Sequence, residues 1–434
     1  MYLKQLIIGL LLTGNALFSQ DLLQVEDAVK IALENNFAIK IAKNNDSINR
    51  INNNIANAGM LPRINANFAD NNSQIDTEQT QADGSIRALD NAKNHNLSYG
   101  IGLDWTIFDG MKMFVKKEQL EIIEKQGKAN LKAQIYAKIS EVYTTYYNLV
   151  MQQQVLKAQD SALLLSNERL LTAQNRFTIG KASKLEVLNA QVDFNADKSS
   201  LMKQKESFKT LQIQLNLLLN RSLDIDFKVV DEINTSETLD LASVMEKAKS
   251  QNPQLQAQIL AKKLADLSVK EIKSDRYPTI RVTSGYNFTR SEASLGFITQ
   301  SSGQGFVYGV AATVPLFNGF LQNKREKIAK ISAENANLLL EEQNRNLEAI
   351  VQMLFTTFQT NLELADIESK NLEIAKENLD ITLAKYKIGT LTPVEFRTAQ
   401  QNYLEANLRF SNSQFLAKIT EIRLKEISGT LKIN

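Results

Sequence analysis

Cysteine is missing from the whole sequence of 434 residues. Its absence excludes disulfide bonds, thiol catalysis and cysteine-ligated metal sites. An excess of one charge is also missing: 50 Lys and Arg residues nearly balance 48 Asp and Glu residues. No strong electrostatic field therefore favours nucleic acid as a partner. Because we find no nucleophile with a base, no metal-ligand cluster and no phosphate-binding loop, the sequence predicts neither an enzyme nor a bound cofactor.

The single histidine, His95, lies in a stretch of polar residues. No cysteine and no pair of carboxylates stands at metal-ligand spacing from it. We therefore expect His95 to be an ordinary loop residue rather than a metal ligand.

Long apolar runs are absent as well. Beyond the N-terminal region no segment approaches about eighteen consecutive apolar residues, so the sequence predicts no transmembrane helix. The N-terminal region has Lys4, a short apolar run over 6–12, and small or polar residues over 16–20. That order is typical of a secretory signal peptide, which we assign to residues 1–19. If the exported chain crosses a membrane, β-strands must do so.

Proline is scarce, with five in the chain, and its positions mark where helices can end. The intervening stretches carry apolar residues at helical spacing. Ile135, Ile139, Val142, Tyr146 and Leu149 form one such seam, which predicts coiled-coil-like packing. At ~1.5 Å per residue, the two longest helices would each be roughly 100 Å long. The predicted helices are the long pair over 110–177 and 319–388, and shorter ones near 23–60, 183–221, 237–275 and 393–429.

The chain contains an internal repeat. We divide it into a first repeat over 20–222, a linker over 223–236 and a second repeat over 237–434. Each repeat is predicted to contain a helix, a β-hairpin, a long helix and a return helix, with the hairpins over 61–108 and 277–317. The matching segments are Leu61-Pro62 with Tyr277-Pro278, Phe108-Asp109-Gly110 with Phe317-Asn318-Gly319, and Arg176-Phe177-Thr178-Ile179-Gly180 with Lys385-Tyr386-Lys387-Ile388-Gly389.

Within the hairpins, apolar residues alternate with small or polar ones, which indicates β-strands. Strands of about ten residues with one apolar face are typical of outer-membrane barrels, and the flanking helices offer no second sheet to pack against. We interpret Trp105 and Tyr99 as membrane-interface anchors rather than ligand-stacking residues. The polar stretches 70–95 and 290–305 are predicted to be extracellular loops. The predicted lipid-facing residues are Leu97, Tyr99, Ile101, Leu103, Trp105, Ile107, Tyr308, Val310, Val314 and Leu316.

Four strands cannot close a barrel. An open sheet edge in hydrocarbon leaves unpaired backbone groups, each of which costs several kcal/mol. Membrane barrels need about eight strands or more. The sequence therefore predicts an obligate oligomer in which two or more chains share one barrel.

Two tandem copies of helix, hairpin, Phe-x-Gly, long helix, aromatic-x-Ile-Gly and return helix resemble the TolC-type outer-membrane efflux proteins. The resemblance covers nearly all of the mature chain and is most specific at the two hairpins and at the turns 176–180 and 385–389. It implies a mainly α fold, with a homotrimeric twelve-stranded barrel in the outer membrane and a long helical periplasmic tunnel. It also implies an exit duct of a tripartite efflux or type I secretion system, with a periplasmic adaptor and an inner-membrane pump as partners.

The resemblance also implies two kinds of functional residue. Matching by position gives a periplasmic gate of Glu186, Tyr386, Glu395 and Thr398. Because Leu391 stands where an Arg is frequent and Thr398 stands at an acidic position, we expect a less charged gate. Glu395 has a simpler alternative, in which its carboxylate only stabilises the N-terminus of its helix. The turns before these helices are implied to form the tip that contacts the adaptor: Ile179, Gly180, Lys181, Ile388, Gly389 and Thr390.

Two other classes of exported protein also have long helices. One is the periplasmic adaptor, but adaptors carry compact β-rich domains and a membrane anchor rather than lone hairpins. The other is a coiled-coil structural protein, whose sequence would lack the strands. Fractionation separates these alternatives, because a duct stays with the outer membrane and needs detergent for extraction.

Overall fold

The protein is described by a computed structural model that covers residues 22–234, 239–296 and 298–432. The predicted signal peptide, 1–19, lies outside the described residues, as do 235–238, where the predicted linker meets the second repeat. Within the covered ranges no helix is both long and apolar enough to cross a membrane. The first half contains β1 (Leu22–Leu23), α1 (Val25–Asn35), α2 (Phe37–Asn52), β2 (Arg63–Thr80), β3 (Ile86–Asp109), α3 (Lys112–Thr178) and α4 (Lys184–Leu219). The second half contains β4 (Lys228–Val229), α5 (Leu241–Gln251), α6 (Pro253–Ser274), β5 (Thr279–Ala293), β6 (Gln300–Thr313), α7 (Leu321–Lys387) and α8 (Pro393–Ile427).

The order of elements is the same in both halves of the chain. Each half has a short strand, two helices, two long strands, a long helix and a return helix. The long helices α3 and α7 have 67 residues each, and the return helices α4 and α8 have 36 and 35. The predicted tandem repeat is therefore confirmed in the order and the lengths of its elements.

The helices predicted near 23–60 and 237–275 are each broken in two. Asn36 leaves the helical conformation, with φ −59° and ψ 126°. Its side chain accepts hydrogen bonds from the N–H groups of Ala38 and Ile39, at 2.9 and 3.3 Å, and so caps α2. In the second half, Asn252 is extended, with ψ 119°, because the ring of the following proline disfavours a helical residue before it.

Asn36 and Asn252 also make matching contacts with the ends of the return helices. The Asn36 side-chain amide donates to the carbonyl of Leu218 at 2.8 Å. The Asn252 amide donates to the carbonyl of Ile427, also at 2.8 Å. Each contact satisfies a carbonyl that the end of a helix leaves without a partner. Both repeats therefore contain the same contact, which joins an asparagine between their first two helices to the end of their return helix.

The chain divides into two compact units. The sheet unit comprises the described residues of 44–129 and 255–343 and carries the four long strands. The helical unit comprises the described residues of 1–43, 130–254 and 344–434. Helices α3 and α7 contribute residues to both units.

The core of the helical unit is built on the apolar seam predicted in α3. Ile139, Val142, Tyr146 and Leu149 are buried, and Ile135 is half-buried against them. The seam is therefore confirmed as a packing surface. Its partners come from α1, α4, α8 and the short strand β4: Val29, Ala32, Leu215, Leu219, Ile422 and Val229.

The sheet unit holds an antiparallel sheet in the order β2-β3-β5-β6. Residues directly opposite each other in antiparallel strands share one face, so the register gathers apolar side chains from all four strands on a single face. Trp105 lies on this face, and its indole N–H donates to the carbonyl of Met60 at 2.9 Å. The cross-strand rows include Ala66, Ile101, Tyr286 and Phe306, then Phe68, Tyr99 and Phe288, and then Ile64, Leu103 and Tyr308.

One predicted member of the lipid-facing row departs from the alternation. The register shifts before Phe108, so that Phe108 rather than Ile107 pairs with Ile280. Ile107 is the extra residue of a β-bulge, and a bulge leaves one residue without a partner opposite. Alternation in the sequence could not reveal this interruption.

Two further members lie beyond the strand. β6 ends at Thr313, so Val314 and Leu316 follow it rather than belong to it. Between them stands Pro315, which lacks the N–H that a strand donates to its neighbour. The prediction that these two residues extend the strand was therefore wrong.

The stretches predicted as loops, 70–95 and 290–305, are mostly strand. β2 has 18 residues and β3 has 24, and only residues 81–85 separate them. At about 3.3 Å per residue, β2 is roughly 60 Å long, more than the apolar band of an outer-membrane barrel, about 25 Å tall. These strands are polar on both faces in their outer parts, so an alternation pattern does not reveal them. His95 accordingly lies in β3 rather than in a loop, hydrogen-bonded to Asp70 across 2.7 Å.

We predict that Gly100→Ala destabilises the sheet while Gly102→Ala, two residues along the same strand, does not. A Cβ at Gly100 would lie 2.4 Å from the Asn287 Oδ1 and from the Tyr286 carbonyl oxygen, whereas at Gly102 the nearest atom, on Asn67, is 3.7 Å away. Forced overpacking of this kind costs about 1–3 kcal/mol. The fluorescence of Trp105, the single tryptophan, gives urea midpoints for both variants. Equal midpoints would contradict the close approach of β3 and β5.

Candidate gate and tip

Helix α3 ends in a turn closed by Gly180, one of the predicted tip residues. The Lys181 N–H donates to the Arg176 carbonyl at 2.7 Å, and the Gly180 N–H donates to the Phe177 carbonyl at 3.0 Å. Gly180 has φ +72°, a conformation that glycine adopts without steric cost. This pair of bonds is the Schellman motif, which ends a helix and reverses the chain.

Helix α7 ends in the same motif. The Thr390 N–H donates to the Lys385 carbonyl at 3.1 Å, and the Gly389 N–H donates to the Tyr386 carbonyl at 3.0 Å. Gly389 has φ +82°. The repeat therefore builds one turn twice. All six predicted tip residues are exposed: Ile179, Gly180, Lys181, Ile388, Gly389 and Thr390.

Tyr386, the aromatic residue of the predicted gate, is buried in the helical unit and is only 3% exposed. Its ring stacks on Phe396 with the centroids 5.1 Å apart, and the Arg176 guanidinium lies 5.4 Å from the ring centre. Burial raises the pKa of the Tyr386 hydroxyl. Tyr386 thus fastens the end of α7 to the first turns of α8.

Glu186 lies near Tyr386 without a hydrogen bond to it. After burial, the nearby charges of Arg169 and Glu186 are the largest influences on the pKa of Tyr386, and Glu186 raises it. The Tyr386 hydroxyl and the Glu186 Oε1 are nevertheless both buried and without a hydrogen-bond partner in the structure. The structure therefore brings these two predicted gate residues into one neighbourhood but does not pair them.

Glu395 belongs to a capping box at the start of α8. Its N–H donates to the Thr392 Oγ1 at 3.3 Å, while its Oε2 accepts from the Thr392 N–H at 3.0 Å. The Thr392 hydroxyl and backbone hydrogen bonds lower the pKa of Glu395. This geometry supports the simpler of the two interpretations of Glu395, in which its carboxylate stabilises the N-terminus of α8.

The remaining positions of the predicted gate carry no charged side chain. Thr398 is exposed, and its hydroxyl donates to the Val394 carbonyl at 3.1 Å. Leu391 packs against the buried cluster around Tyr386 and Phe396. Over the described residues, no group of three His, Asp or Glu side chains is arranged to hold a metal ion.

A buried ionic network, which sequence reasoning missed, lies behind the predicted tip. Arg397 of α8 holds Asp197 of α4 with two hydrogen bonds, at 2.7 and 2.8 Å, and its Nε lies 3.7 Å from Asp193. Arg169 of α3 contacts the other oxygen of Asp193 at 2.6 Å. Burial alone would lower the pKa of Arg397, but Asp197 and Asp193 outweigh it and raise the pKa.

Gln400 extends this network to the backbone of α3. Its side-chain amide donates to the Ala162 carbonyl at 2.8 Å and to the Ser166 hydroxyl at 3.0 Å, and it is fully buried. The Ser166 hydroxyl donates in turn to Asp197. The spacing of Asp193 and Asp197 marks a shared helix face, but the partner arginine is some two hundred residues away. No local pattern identifies it.

Comparison with known sequences gives one family. The family described as "Outer membrane efflux protein" matches residues 28–221 and 244–430. The outer membrane protein TolC of Vibrio cholerae is 23% identical over 390 residues, which are 86% of this chain and 83% of that protein.

Comparison with solved structures gives the fold. The Campylobacter jejuni CmeC outer membrane channel matches with a TM-score of 0.78 at 17% identity, over 94% of this chain and 85% of that one. The outer membrane protein VceC of Vibrio cholerae matches with a TM-score of 0.76 at 15% identity, over 93% of this chain and 96% of that one. At such low identities the likeness establishes the architecture alone.

We predict that Glu395→Ala frays the first turn of α8, whereas Glu186→Ala leaves the first turn of α4 intact. Glu186 stands at the matching position, but there the described structure shows only the bond from its N–H to Ser183. Hydrogen bonds lower the pKa of Glu395. The contribution of its carboxylate to the stability of this first turn is therefore fully present when the pH is above the ordinary pKa of a glutamate. That contribution is lost as the pH falls through the lowered pKa of Glu395.

Amide hydrogen exchange at Thr392, corrected for the intrinsic pH dependence, measures this contribution. We expect several-fold less protection in Glu395→Ala at neutral pH and convergence of the variant and the wild type in acid. Equal protection losses at the two helix starts would contradict the capping box.

Proposed function

This chain belongs to the outer membrane efflux protein family, and from that premise we propose that three copies build one exit duct, fed by an inner-membrane pump through a periplasmic adaptor. Its location in the outer membrane and its role as an exit duct in efflux follow from the family. The number of copies, the partners and the residues that act are the parts that we propose.

The trimer is supported by the two edges of the sheet. Among the strands that the structure describes, β2 and β6 each pair on one side only, so both present a row of N–H and C=O groups without a strand partner. In hydrocarbon each free group costs several kcal/mol. Four strands from each of three copies give a barrel of twelve, within the range that bacterial outer-membrane barrels adopt. Copies of the same chain supply the missing partners most simply, because β6 of one copy can pair with β2 of the next.

The lipid-facing surface of this barrel is the apolar face of the sheet. Ile101 is 60% exposed, Tyr308 is 79% exposed and Val310 is 72% exposed in the single chain. The opposite face carries Asn65 and Gly102, which pair with each other. A polar and a small residue there suit a water-filled lumen. Among the described residues of its unit, no second sheet packs on this face, and lipid is the apolar phase that we propose covers it.

The two turns form the docking tip for the adaptor. Ile179 and Ile388 are 65% and 75% exposed, and each follows a long helix that ends in a rigid motif. Large apolar side chains at such exposure mark an interaction surface when they cluster. We assign the adaptor contact to these two residues together with the glycines and polar residues beside them.

We place the gate at the start of the return helices. The Glu395 carboxylate and the Thr398 hydroxyl lie on exposed positions of α8, while Tyr386 and Glu186 support the turn behind them. Because Leu391 is apolar and Glu395 is engaged in its cap, the constriction is closed by packing more than by charge.

The two alternatives, an adaptor and a coiled-coil structural protein, find no support. The β-structure that the family match includes is one continuous four-stranded sheet inserted between helices, rather than a separate β-rich domain.

We predict that Ile101→Arg blocks barrel assembly and that Asn65→Arg does not. Both residues are exposed in the single chain, but they stand on opposite faces of the sheet. Arg near the middle of the lipid face costs about 2–4 kcal/mol, whereas Arg in the lumen stays hydrated. Heat-modifiable migration on gels measures assembly. If Ile101→Arg assembles as well as the wild type, the assignment of the two faces is wrong.

We predict that Gly389→Trp uncouples the adaptor while the barrel still assembles. The positive φ of Gly389 opposes a side chain there, and so does the Arg176 Nη2, which would lie 3.2 Å from an added Cβ. Gly84→Trp is the matched control, because Gly84 has φ +81° in the turn between β2 and β3, in the other unit. Ile388→Asp tests the same contact without backbone strain. Adaptor retention on affinity-purified duct is the measurement, and full retention by both tip variants would remove the tip assignment.

A further inference from the structure

A cavity of about 180 Å³ lies inside the helical unit, between α3, α4 and α8. Aliphatic side chains form much of its wall. Val155, Ala158 and Ala162 of α3 line it and are buried, and Leu404 and Leu408 of α8 line it as well. An apolar cavity of about 150 Å³ accepts a benzene ring, so this space is large enough for a small cyclic molecule.

The wall also carries hydrogen-bond acceptors that lack a donor. The Gln159 Oε1 on α3 and the Asn407 Oδ1 on α8 are both buried and have no hydrogen-bond partner in the structure. The carboxylate of Glu405 lies in the same wall and makes no ion pair among the described residues. Because a buried acceptor without a donor is unfavourable, a ligand that donates hydrogen bonds would satisfy these atoms.

The ionic network behind the tip supplies one more wall residue, but not the missing donor. Asp197 lines the cavity, and its oxygens already accept hydrogen bonds from Arg397, at 2.7 and 2.8 Å, and from the Ser166 hydroxyl. Among the described residues that line the cavity there is no Lys and no Arg. The wall therefore offers acceptors and negative charge without a cation of its own.

The second repeat shows what occupies the matching place. Aligned through their closing turns, the two hairpins have Glu368 in the second where Gln159 stands in the first. The same alignment places Arg409 where the first has Ser200. The Arg409 Nε–H donates to the two carboxylate oxygens of Glu368, at 3.2 and 3.1 Å, and so joins α8 to α7. In the first hairpin both matching positions line the cavity: the acceptor is kept, and the guanidinium is missing.

We propose that this cavity binds a small organic cation, whose amidinium, guanidinium or ammonium group takes the place of the missing arginine. Its N–H groups donate to the Gln159 Oε1 and the Asn407 Oδ1, and Glu405 balances its charge. A planar guanidinium or amidinium fits best, because its donors are held in one plane. The apolar part of the molecule packs on Val155 and Leu404. The inference concerns the helical unit alone, so it does not depend on the number of copies in the duct.

Para-fluorobenzamidine is the probe, because it joins an amidinium to a ring of the size that the cavity accepts. Para-fluorobenzamide is the control ligand, with the same shape and no charge. Broadening of the fluorine NMR signal is measured at neutral pH with the full chain in detergent, and empty micelles serve as the blank. We expect saturable broadening of the amidine signal and roughly tenfold weaker binding of the amide, since charge-assisted hydrogen bonds are the stronger ones. Equal affinities, or no broadening above the blank, would overturn the proposal.

The second repeat also supplies the decisive variant. Gln159→Glu combined with Ser200→Arg transplants the Glu368–Arg409 pair into the first hairpin, so that the chain's own guanidinium fills the place. This variant should bind the amidine roughly tenfold more weakly than the wild type does. Ser199→Arg is the matched control, because Ser199 is an exposed neighbour on α4 that does not line the cavity, and it should bind like the wild type. Wild-type binding by the transplant, or an equal loss in Ser199→Arg, would contradict the assigned site.

Glu405→Gln tests the charge without a change of size. Glu405 is exposed on α8, so the helices keep their packing. We expect amidine binding to weaken severalfold and to approach that of the amide. Far-ultraviolet circular dichroism shows whether each variant keeps its helices, and should the transplant unfold, Glu405→Gln decides alone. Unchanged amidine binding by Glu405→Gln would overturn the placement of the cation in this cavity.

Discussion

The unpaired edges of the sheet are the constraint on which the rest of the structure depends. β2 and β6 lie at the ends of the order β2-β3-β5-β6, and an open edge cannot persist in hydrocarbon. That single requirement is the basis of the proposal that several copies share one barrel. Each hairpin of strands is followed by a helix of 67 residues, so the strands and the long helices alternate along the chain.

The two repeats share several contacts and turns, but they differ in the residues of the ionic network. Asn36 and Asn252 make the same contact with the return helices, and Gly180 and Gly389 close the same turn. The ionic network departs from this symmetry, with acids in the first repeat and Arg397 in the second. The network therefore joins the two repeats of one chain without the symmetry that their turns share.

Much of the fold could be predicted from the sequence, because the spacing of apolar residues indicates which side chains are buried. The spacing of Ile139, Val142, Tyr146 and Leu149 identified a seam that is buried. The outer halves of β2 and β3 escaped detection because they are polar on both faces, and the bulge at Ile107 interrupts an alternation that continues unbroken in the sequence. Arg397 and Asp197 could not be paired, since nothing local relates residues two hundred positions apart. The two turns at the ends of α3 and α7 could thus be predicted from the sequence, whereas the buried network behind them could not.

The mass of the detergent-extracted protein tests the shared barrel most directly. Native mass spectrometry in a mild detergent should give one species with the mass of three chains, because three pairs of edges then close a barrel of twelve strands. A sharp peak at the mass of one chain, from protein that was extracted folded from the outer membrane, would contradict the shared barrel and with it the duct.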